Sequence, residues 1–344
     1  MNIQLSPLFR DHMVLAAHKT IRVFGSGDVS GADVTVTLNG CSAKATGITP
    51  VGCGVTWAAE LPAMPYGGPY ELTVTTPVGT ASLTDVYVGE VVLLAGQSNI
   101  QFKMKESRVE NPEEFRSNPL LRLFTVDRIE DSDKYHECDG WVVCEKDDVE
   151  NWSAIGYHTG MDLQEKLGCA VGLIACYQGA SVIESWIPAG LCPELYVPME
   201  QRHIDHTYPE YVIWNGDGML YEAMFRKLIP MPLSSVVWYQ GESDTTVAEA
   251  AVYVDELTAM IGRWREDLRD PALPFALVQI ADFEPRSDAG WWNLQAAEEK
   301  AAEVIPHTAL VVCRDVCETF EIHPATKAVL SARLADTLAA FSRQ

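Results

Sequence analysis

The chain has 344 residues, 47% hydrophobic and 21% charged, a composition that excludes a disordered or fibrous protein. At roughly 150 residues per domain it has room for about two domains, enough to bury a core without disulfide staples. Its net charge of −23 repels duplex nucleic acid and anionic membrane surfaces, and no apolar run reaches the ~20 residues of a membrane helix, so neither partner is expected.

Met1-Asn-Ile-Gln-Leu-Ser-Pro lacks a charged segment followed by an apolar one, so no signal peptide is visible, and a cytoplasmic location is expected unless a leader was trimmed. The nine cysteines are scattered, without Cys-x-x-Cys or His-x-x-x-His spacing, so neither a metal nor any other cofactor is expected. Cys169 and Cys176 sit in the apolar run Cys-Ala-Val-Gly-Leu-Ile-Ala-Cys, where a thiol behaves as a small hydrophobe.

Up to about residue 85, short alternating segments are punctuated by turns. Ile21–Phe24, Val34–Leu38, Ser42–Thr46 and Tyr70–Val74 read as strands, and Asn39-Gly40 is a two-residue hairpin signal. Gly67-Gly-Pro and Pro77-Val-Gly mark further turns. Residues 1–85 are therefore expected to form an antiparallel β-sandwich module without a long helix.

From residue 86 to 344 the pattern alternates strand and helix. Val91–Ala95, Val171–Cys176, Ser235–Tyr239, Phe275–Ile280 and Ala309–Cys313 are continuous apolar runs, as in strands buried on both faces of a parallel sheet. Ala248–Leu268, Asn293–Val304 and Pro324–Phe341 read as amphipathic helices, the last with Val329, Leu330, Leu334, Leu338 and Phe341 on one stripe. The expected fold class is α/β, a doubly wound domain carrying an N-terminal β module. Its active site should lie at the carboxyl ends of the strands.

Four strand-end loops carry chemistry. After Val91–Ala95 come Gly96-Gln97-Ser98-Asn99, where Ser98 is either a turn and helix cap or a nucleophile whose own amide helps hold an oxyanion. Position 100 is Ile, so this is not a G-x-S-x-G elbow. After Val171–Cys176 lies Gly179, a tight turn or a point of backbone approach to a carbonyl oxygen. After Ser235–Tyr239 lies Gln240, which either donates its amide to an oxyanion or ties neighbouring loops together. Before the last helix stand Glu321 and His323, an orienting acid and a general base.

Gly96-Gln-Ser-Asn99, Gly179-Ala-Ser-Val-Ile-Glu-Ser-Trp186, Trp238-Tyr-Gln-Gly-Glu-Ser-Asp244 and Ile322-His-Pro324 resemble the blocks of the sialate O-acetylesterase family, carbohydrate esterases of the SGNH hydrolase class. Ser6-Pro-Leu-Phe-Arg-Asp-His-Met-Val-Leu15 and Trp264-Arg265 extend the resemblance over nearly the whole chain. It implies a flavodoxin-like SGNH three-layer sandwich and metal-free serine chemistry on an O-acetylated sugar. By position, Ser98 would be the nucleophile and His323 the base, with an oxyanion hole of the Ser98 and Gly179 amides and the Gln240 side chain. Many relatives carry Asp two residues before the histidine. This chain has Glu321, with Asp315 as the competing orienter.

Larger relatives insert a domain between the second and third blocks. Here only residues 187–214 separate Trp186 from the next helix, a stretch rich in Pro, Tyr and His (Pro193, Tyr196, Pro198, His203, His206, Tyr208, Pro209) and expected on the site rim. Recognition of a sialic acid carboxylate would need a local cation, for which Arg122, Arg128, Arg202 and Arg286 are candidates or plain surface arginines. Trp152, Trp186, Trp214, Trp291 and Trp292 either stack on sugar rings or pack the core, which is expected for most. An acetylated plant hemicellulose fragment, a non-sugar acyl ester and a non-catalytic carbohydrate-binding role remain as alternatives.

Overall fold

The computed structural model describes residues 3–30, 33–108, 115–128, 140–204 and 209–343. Cys138, His206 and Tyr208 lie outside them. The N-terminal strands are β1 (Gln4–Leu5), β2 (Val14–Ala16), β3 (Ile21–Ser26), β4 (Thr35–Leu38), β5 (Cys41–Lys44), β6 (Thr46–Val51), β7 (Val55–Leu61) and β8 (Gly67–Thr76). β1, β3, β7 and β6 pair antiparallel in that order as a four-stranded sheet. The β4–β5 hairpin turns at Asn39 and Gly40, whose φ angles of 48° and 78° are those of a type I′ turn.

β9 (Gly79–Gly96) is one strand of 18 residues that crosses the expected boundary at residue 85. Its first half pairs antiparallel with β8, and its buried second half becomes a central strand of the large sheet. The N-terminal strands β2, β4, β5 and β8 thereby belong to the same 11-stranded sheet as the strands that follow.

The remaining elements are α1 (Ser98–Gln101), β10 (Asn118–Thr125), β11 (Trp141–Cys144), α2 (Ala154–Leu167), β12 (Val171–Tyr177), α3 (Pro209–Trp214), α4 (Met219–Ala223), β13 (Ser235–Tyr239), α5 (Val247–Leu268), β14 (Phe275–Val278), α6 (Ala289–Val304), β15 (Thr308–Val311) and α7 (Ala328–Phe341). The main sheet runs β11-β10-β12-β9-β13-β14-β15. It is parallel apart from the antiparallel edge strand β11. The molecule is thus a mixed α/β protein built on a large mixed sheet. β10, β11 and α2 lie outside the strands and helices expected from the sequence pattern.

The helices begin where side chains satisfy their first amides. Ser153 caps α2, Thr246 and Glu249 form a capping box on α5, and Asp288 caps α6. α2 packs on α7 and α5 on α6. The inner stripe of α5 carries Tyr253, Leu257, Ile261, Trp264 and Leu268 at three- and four-residue spacing. Trp264 is fully buried, stacks on Phe225 at 3.9 Å, and meets Trp186 and Trp238 edge-on at 6.3 and 5.8 Å.

α7 starts at Ala328, four residues later than the apolar pattern suggests. Leu330, Leu334 and Leu338 form its buried stripe, while Val329 is exposed. The segment 324–327 is consequently a loop, and that difference matters for the site. Among the described residues no helix is long and apolar enough to cross a membrane, and every described cysteine is unpaired.

Candidate active site

Three parallel strands, β12, β9 and β13, end side by side: Tyr177 is in register with Gly96, and so is Tyr239. Gly96 has φ +133°, and a Cβ there would lie 2.1 Å from the Tyr239 carbonyl oxygen, so only glycine lets the chain leave β9 this close to β13. Ser98 follows as the first residue of α1. Its amide meets no acceptor among the described residues, as expected for the first turn of a helix.

The side chain of Gln97 fastens this corner. Its Oε1 accepts from the Gly241 and Ser243 amides at 3.2 and 3.4 Å. The loop after β12 is held by Asn215, which accepts from the Val182 amide and donates to the Ala180 carbonyl.

His323 Nε2 lies 2.7 Å from Ser98 Oγ, across 225 residues of sequence. A serine hydroxyl and an imidazole at this distance have the geometry that a nucleophile and its general base require. Burial and the nearby Lys327 ammonium hold the imidazole below its ordinary value, against the pull of Glu106 and Glu321. The ring is therefore neutral, and able to take a proton, at neutral pH.

Ser98 and His323 line a cleft of about 430 Å³ with Gln101, Gly179, His203, Tyr211, Trp214, Glu242 and Ile322, among others. Larger clefts lie elsewhere among the described residues. One of about 1060 Å³ is lined by Glu90, Ser234, Pro274 and Thr308 at the opposite, N-terminal ends of the strands, and others of about 960 and 520 Å³ lie apart from it. None of these three contains Ser98 or His323.

The structure brings Ser98, Gly179 and His323 together. The Gly179 amide donates to Gln101 Oε1 at 2.9 Å, and a Cβ on Gly179 would lie 3.6 Å from Ser98 Cβ. The acceptor on the amide is thus a side chain of the protein itself.

Gln240 is not at the cleft. It is fully buried, and its Nε2 donates to the Ser181 carbonyl at 2.8 Å, to Gln97 Oε1 at 3.2 Å and to Asp244. Its Oε1 accepts from Tyr253, so the side chain ties three loops together and has no donor left to aim elsewhere.

Glu321 is exposed and makes no hydrogen bond to His323 among the described residues. Its influence on the ring is through space. Asp315 points the other way, in a bidentate pair with Arg333 at 2.6 and 2.7 Å that holds its carboxyl at about 2.

Of the candidate arginines, Arg122 is buried against Asp85 and Arg202 against Glu184. Among the described residues no lysine or arginine lines the cleft. Arg286 touches the lining residue His203. Trp186 and Trp291 are core residues, Trp152 is also buried, and Trp292 is exposed. Trp214, though buried, is the tryptophan that lines the cleft.

Four side chains at the site had drawn no role from sequence: Gln101, Asn99, Glu242 and Lys327. Gln101 stands three positions after Ser98 on α1, a spacing that places side chains on one face of a helical turn. Burial of Lys327 had no such signal, since lysine is almost always exposed.

Residues 88–340 match the family model described as carbohydrate esterase, sialic acid-specific acetylesterase. The chain is 27% identical to human sialate O-acetylesterase over 371 residues, covering 97% of this chain and 70% of that protein. It is 26% identical to the rat sialate O-acetylesterase, covering 94% of this chain and 70% of that protein. A crystal structure of a carbohydrate acetylesterase from Xanthomonas citri superposes with a TM-score of 0.80 at 26% identity, covering 99% of this chain and 74% of that one.

Proposed function

Since the chain belongs to the sialic acid-specific acetylesterase family of carbohydrate esterases, we propose that it removes acetyl groups from sugar hydroxyls by a serine-dependent mechanism. The single observation that carries this reading is the 2.7 Å contact between Ser98 Oγ and His323 Nε2 at the mouth of a cleft. It weighs against a binding protein that has lost its chemistry.

Ser98 Oγ attacks the acetyl carbonyl carbon while His323 Nε2 takes its proton. The negative charge that forms on the carbonyl oxygen faces the Ser98 and Gly179 amides, once Gln101 has withdrawn from the latter. His323 returns the proton to the departing sugar oxygen, leaving acetyl-Ser98. Water, deprotonated by the same imidazole, then attacks that ester and releases acetate. No third oxyanion donor is assigned to Gln240, because its amide is already spent on other acceptors.

The order β12-β9-β13-β14-β15, with β10 and β11 added at one edge, follows the 2-1-3-4-5 pattern of flavodoxin-like sheets, which supports the SGNH-type three-layer assignment. We assign residues 1–85 to a β module and 86–344 to the catalytic unit, the two sharing β9.

The names of the mammalian relatives favour an O-acetylated sialic acid as substrate. A second reading, an acetylated neutral sugar, is favoured by the absence of lysine and arginine from the cleft lining among the described residues. Acetate release by wild type and Ser98→Ala, from O-acetylated sialic acids and from acetylated xylan and mannan fragments, tests both. Release that persists in Ser98→Ala refutes the mechanism, and the class that is deacetylated identifies the substrate.

A further inference from the structure

His323 has no acid bonded to its ring among the described residues, yet it is held against Ser98. The segment that carries it is anchored from behind by a buried polar cluster. Asn99, next to Ser98 on α1, donates from Nδ2 to the Ile322 carbonyl at 2.9 Å, one residue before the base. The same Nδ2 donates to Glu242 Oε1 at 2.5 Å, and Asn99 Oδ1 accepts from Lys327 Nζ at 2.7 Å.

All three side chains are at least 97% buried, with relative exposures of 1% for Asn99, 3% for Glu242 and 1% for Lys327. The amide therefore lies between a buried cation and a buried carboxyl, with its oxygen toward the cation and its nitrogen toward the carboxyl. Only one orientation of Asn99 satisfies both, and that orientation aims Nδ2 at Ile322. Removing any member leaves a polar group buried without its partner.

The loop between His323 and Lys327 is pinned along its length. The Arg108 amide donates to the Ala325 carbonyl at 2.8 Å, and Glu318 accepts from the Thr326 amide and hydroxyl at 3.0 and 2.7 Å. Phe102 packs against the His323 ring at 5.9 Å, and Lys327 Nζ lies 5.0 Å from the Phe102 ring centre.

We propose that Asn99, clamped between Lys327 and Glu242, is the positioning residue that fixes the Ile322–His323 backbone beside Ser98, and that this clamp replaces the ring-bonded acid of a Ser–His–Asp triad. The proposal rests on the reading of Ser98 and His323 as nucleophile and base. A ring-bonded acid orients the imidazole by a bond to Nδ1. The clamp instead orients the backbone from which the imidazole projects, and it brings a fixed positive charge near the ring.

The charged groups facing His323 are Lys327, Glu106 and Glu321. The titratable groups facing Lys327 are Glu242, Glu318, Cys313 and Cys317, besides the rings of Phe102 and Tyr239. Taking away the Lys327 charge therefore lifts the titration of His323, because burial alone then opposes the pull of Glu106 and Glu321. Lys327→Arg keeps the charge and leaves the titration where it is.

The experiment pairs kinetics with a titration that needs no turnover. The imidazole signals of wild type, Lys327→Met and Lys327→Arg are followed by NMR across pH, with His323→Gln to identify the resonance. Asn99→Ala is compared with wild type on a soluble acetyl ester. We expect the His323 midpoint to rise in Lys327→Met and not in Lys327→Arg, and Asn99→Ala to lose about 10²-fold in kcat at unchanged KM.

Lys327→Gln removes the charge while keeping a donor to Asn99, and carries the same expectation should Lys327→Met fail to fold. A His323 midpoint identical in wild type and the charge-removing variants, or wild-type kcat in Asn99→Ala, overturns the proposal. Absence of Ser98-dependent turnover in the wild type would overturn the esterase reading instead, and the titration would still decide the clamp.

Discussion

In the proposed mechanism, Gln101 occupies the position at which the substrate's carbonyl oxygen would arrive. Its Oε1 accepts from the Gly179 amide at 2.9 Å, and Gln101 and Gly179 line the same cleft as Ser98. A substrate can use that amide only by displacing the side chain, so the resting enzyme is its own weak competitor. The free energy at stake is that of one neutral hydrogen bond, net about 1 kcal/mol once water is allowed to replace the lost partner.

Replacing Gln101 by Met keeps the bulk and removes the acceptor. At 1.36 kcal/mol per decade, kcat/KM should rise about fivefold. Gln101→Glu places a carboxylate on the same amide. A charged acceptor binds by about 1.5–3 kcal/mol, roughly 0.5–2 kcal/mol more than the amide it replaces, so kcat/KM should fall about 2- to 30-fold below wild type. The assay is initial-rate hydrolysis of 4-nitrophenyl acetate at neutral pH, with circular dichroism to verify folding. If Gln101→Met instead loses kcat at unchanged KM, the side chain holds Gly179 in place and does not obstruct it, and the reasoning fails.

The pH dependence of kcat/KM should rise through a single midpoint below ~6.5, because burial and Lys327 both disfavour the imidazolium and only the neutral ring accepts the Ser98 proton. Glu321→Gln removes a charge that favours the imidazolium, so that midpoint should move lower still while kcat changes less than about tenfold; a far larger loss of kcat would restore Glu321 as the orienting acid. Gly96→Ala should yield inactive or insoluble protein, given its φ of +133° and the 2.1 Å approach to Tyr239, and wild-type turnover in that variant would contradict the described corner. Trp264→Ala, which empties the stack on Phe225, should lower unfolding stability by about 3–5 kcal/mol in a urea titration, and a loss under 1 kcal/mol would mean that the site collapses to fill the space.

Features set by neighbours along the chain could be read without coordinates. Asn39-Gly40 makes its hairpin because both residues tolerate positive φ, and Ser235–Tyr239 is a strand because five consecutive buried residues fit a sheet covered on both faces. Ser98 and His323 could be singled out because each follows a buried strand or precedes a helix within a short recognisable block. What those blocks touch was another matter. Gln240 and Glu321 have the right chemistry for the roles their positions suggest, but whether an amide faces a cleft or three buried acceptors depends on Gln97, Ser181 and Asp244. Asp315 is claimed by Arg333 on α7, and Lys327 is buried only because α7 begins at Ala328 and leaves residues 324–327 to fold inward onto Asn99. Local conformation follows from φ preferences and apolar spacing, which adjacent residues carry themselves. The direction of a hydrogen bond and the burial of a charge are properties of distant partners, 228 residues apart for Asn99 and Lys327, and only the closed tertiary structure brings those partners within reach.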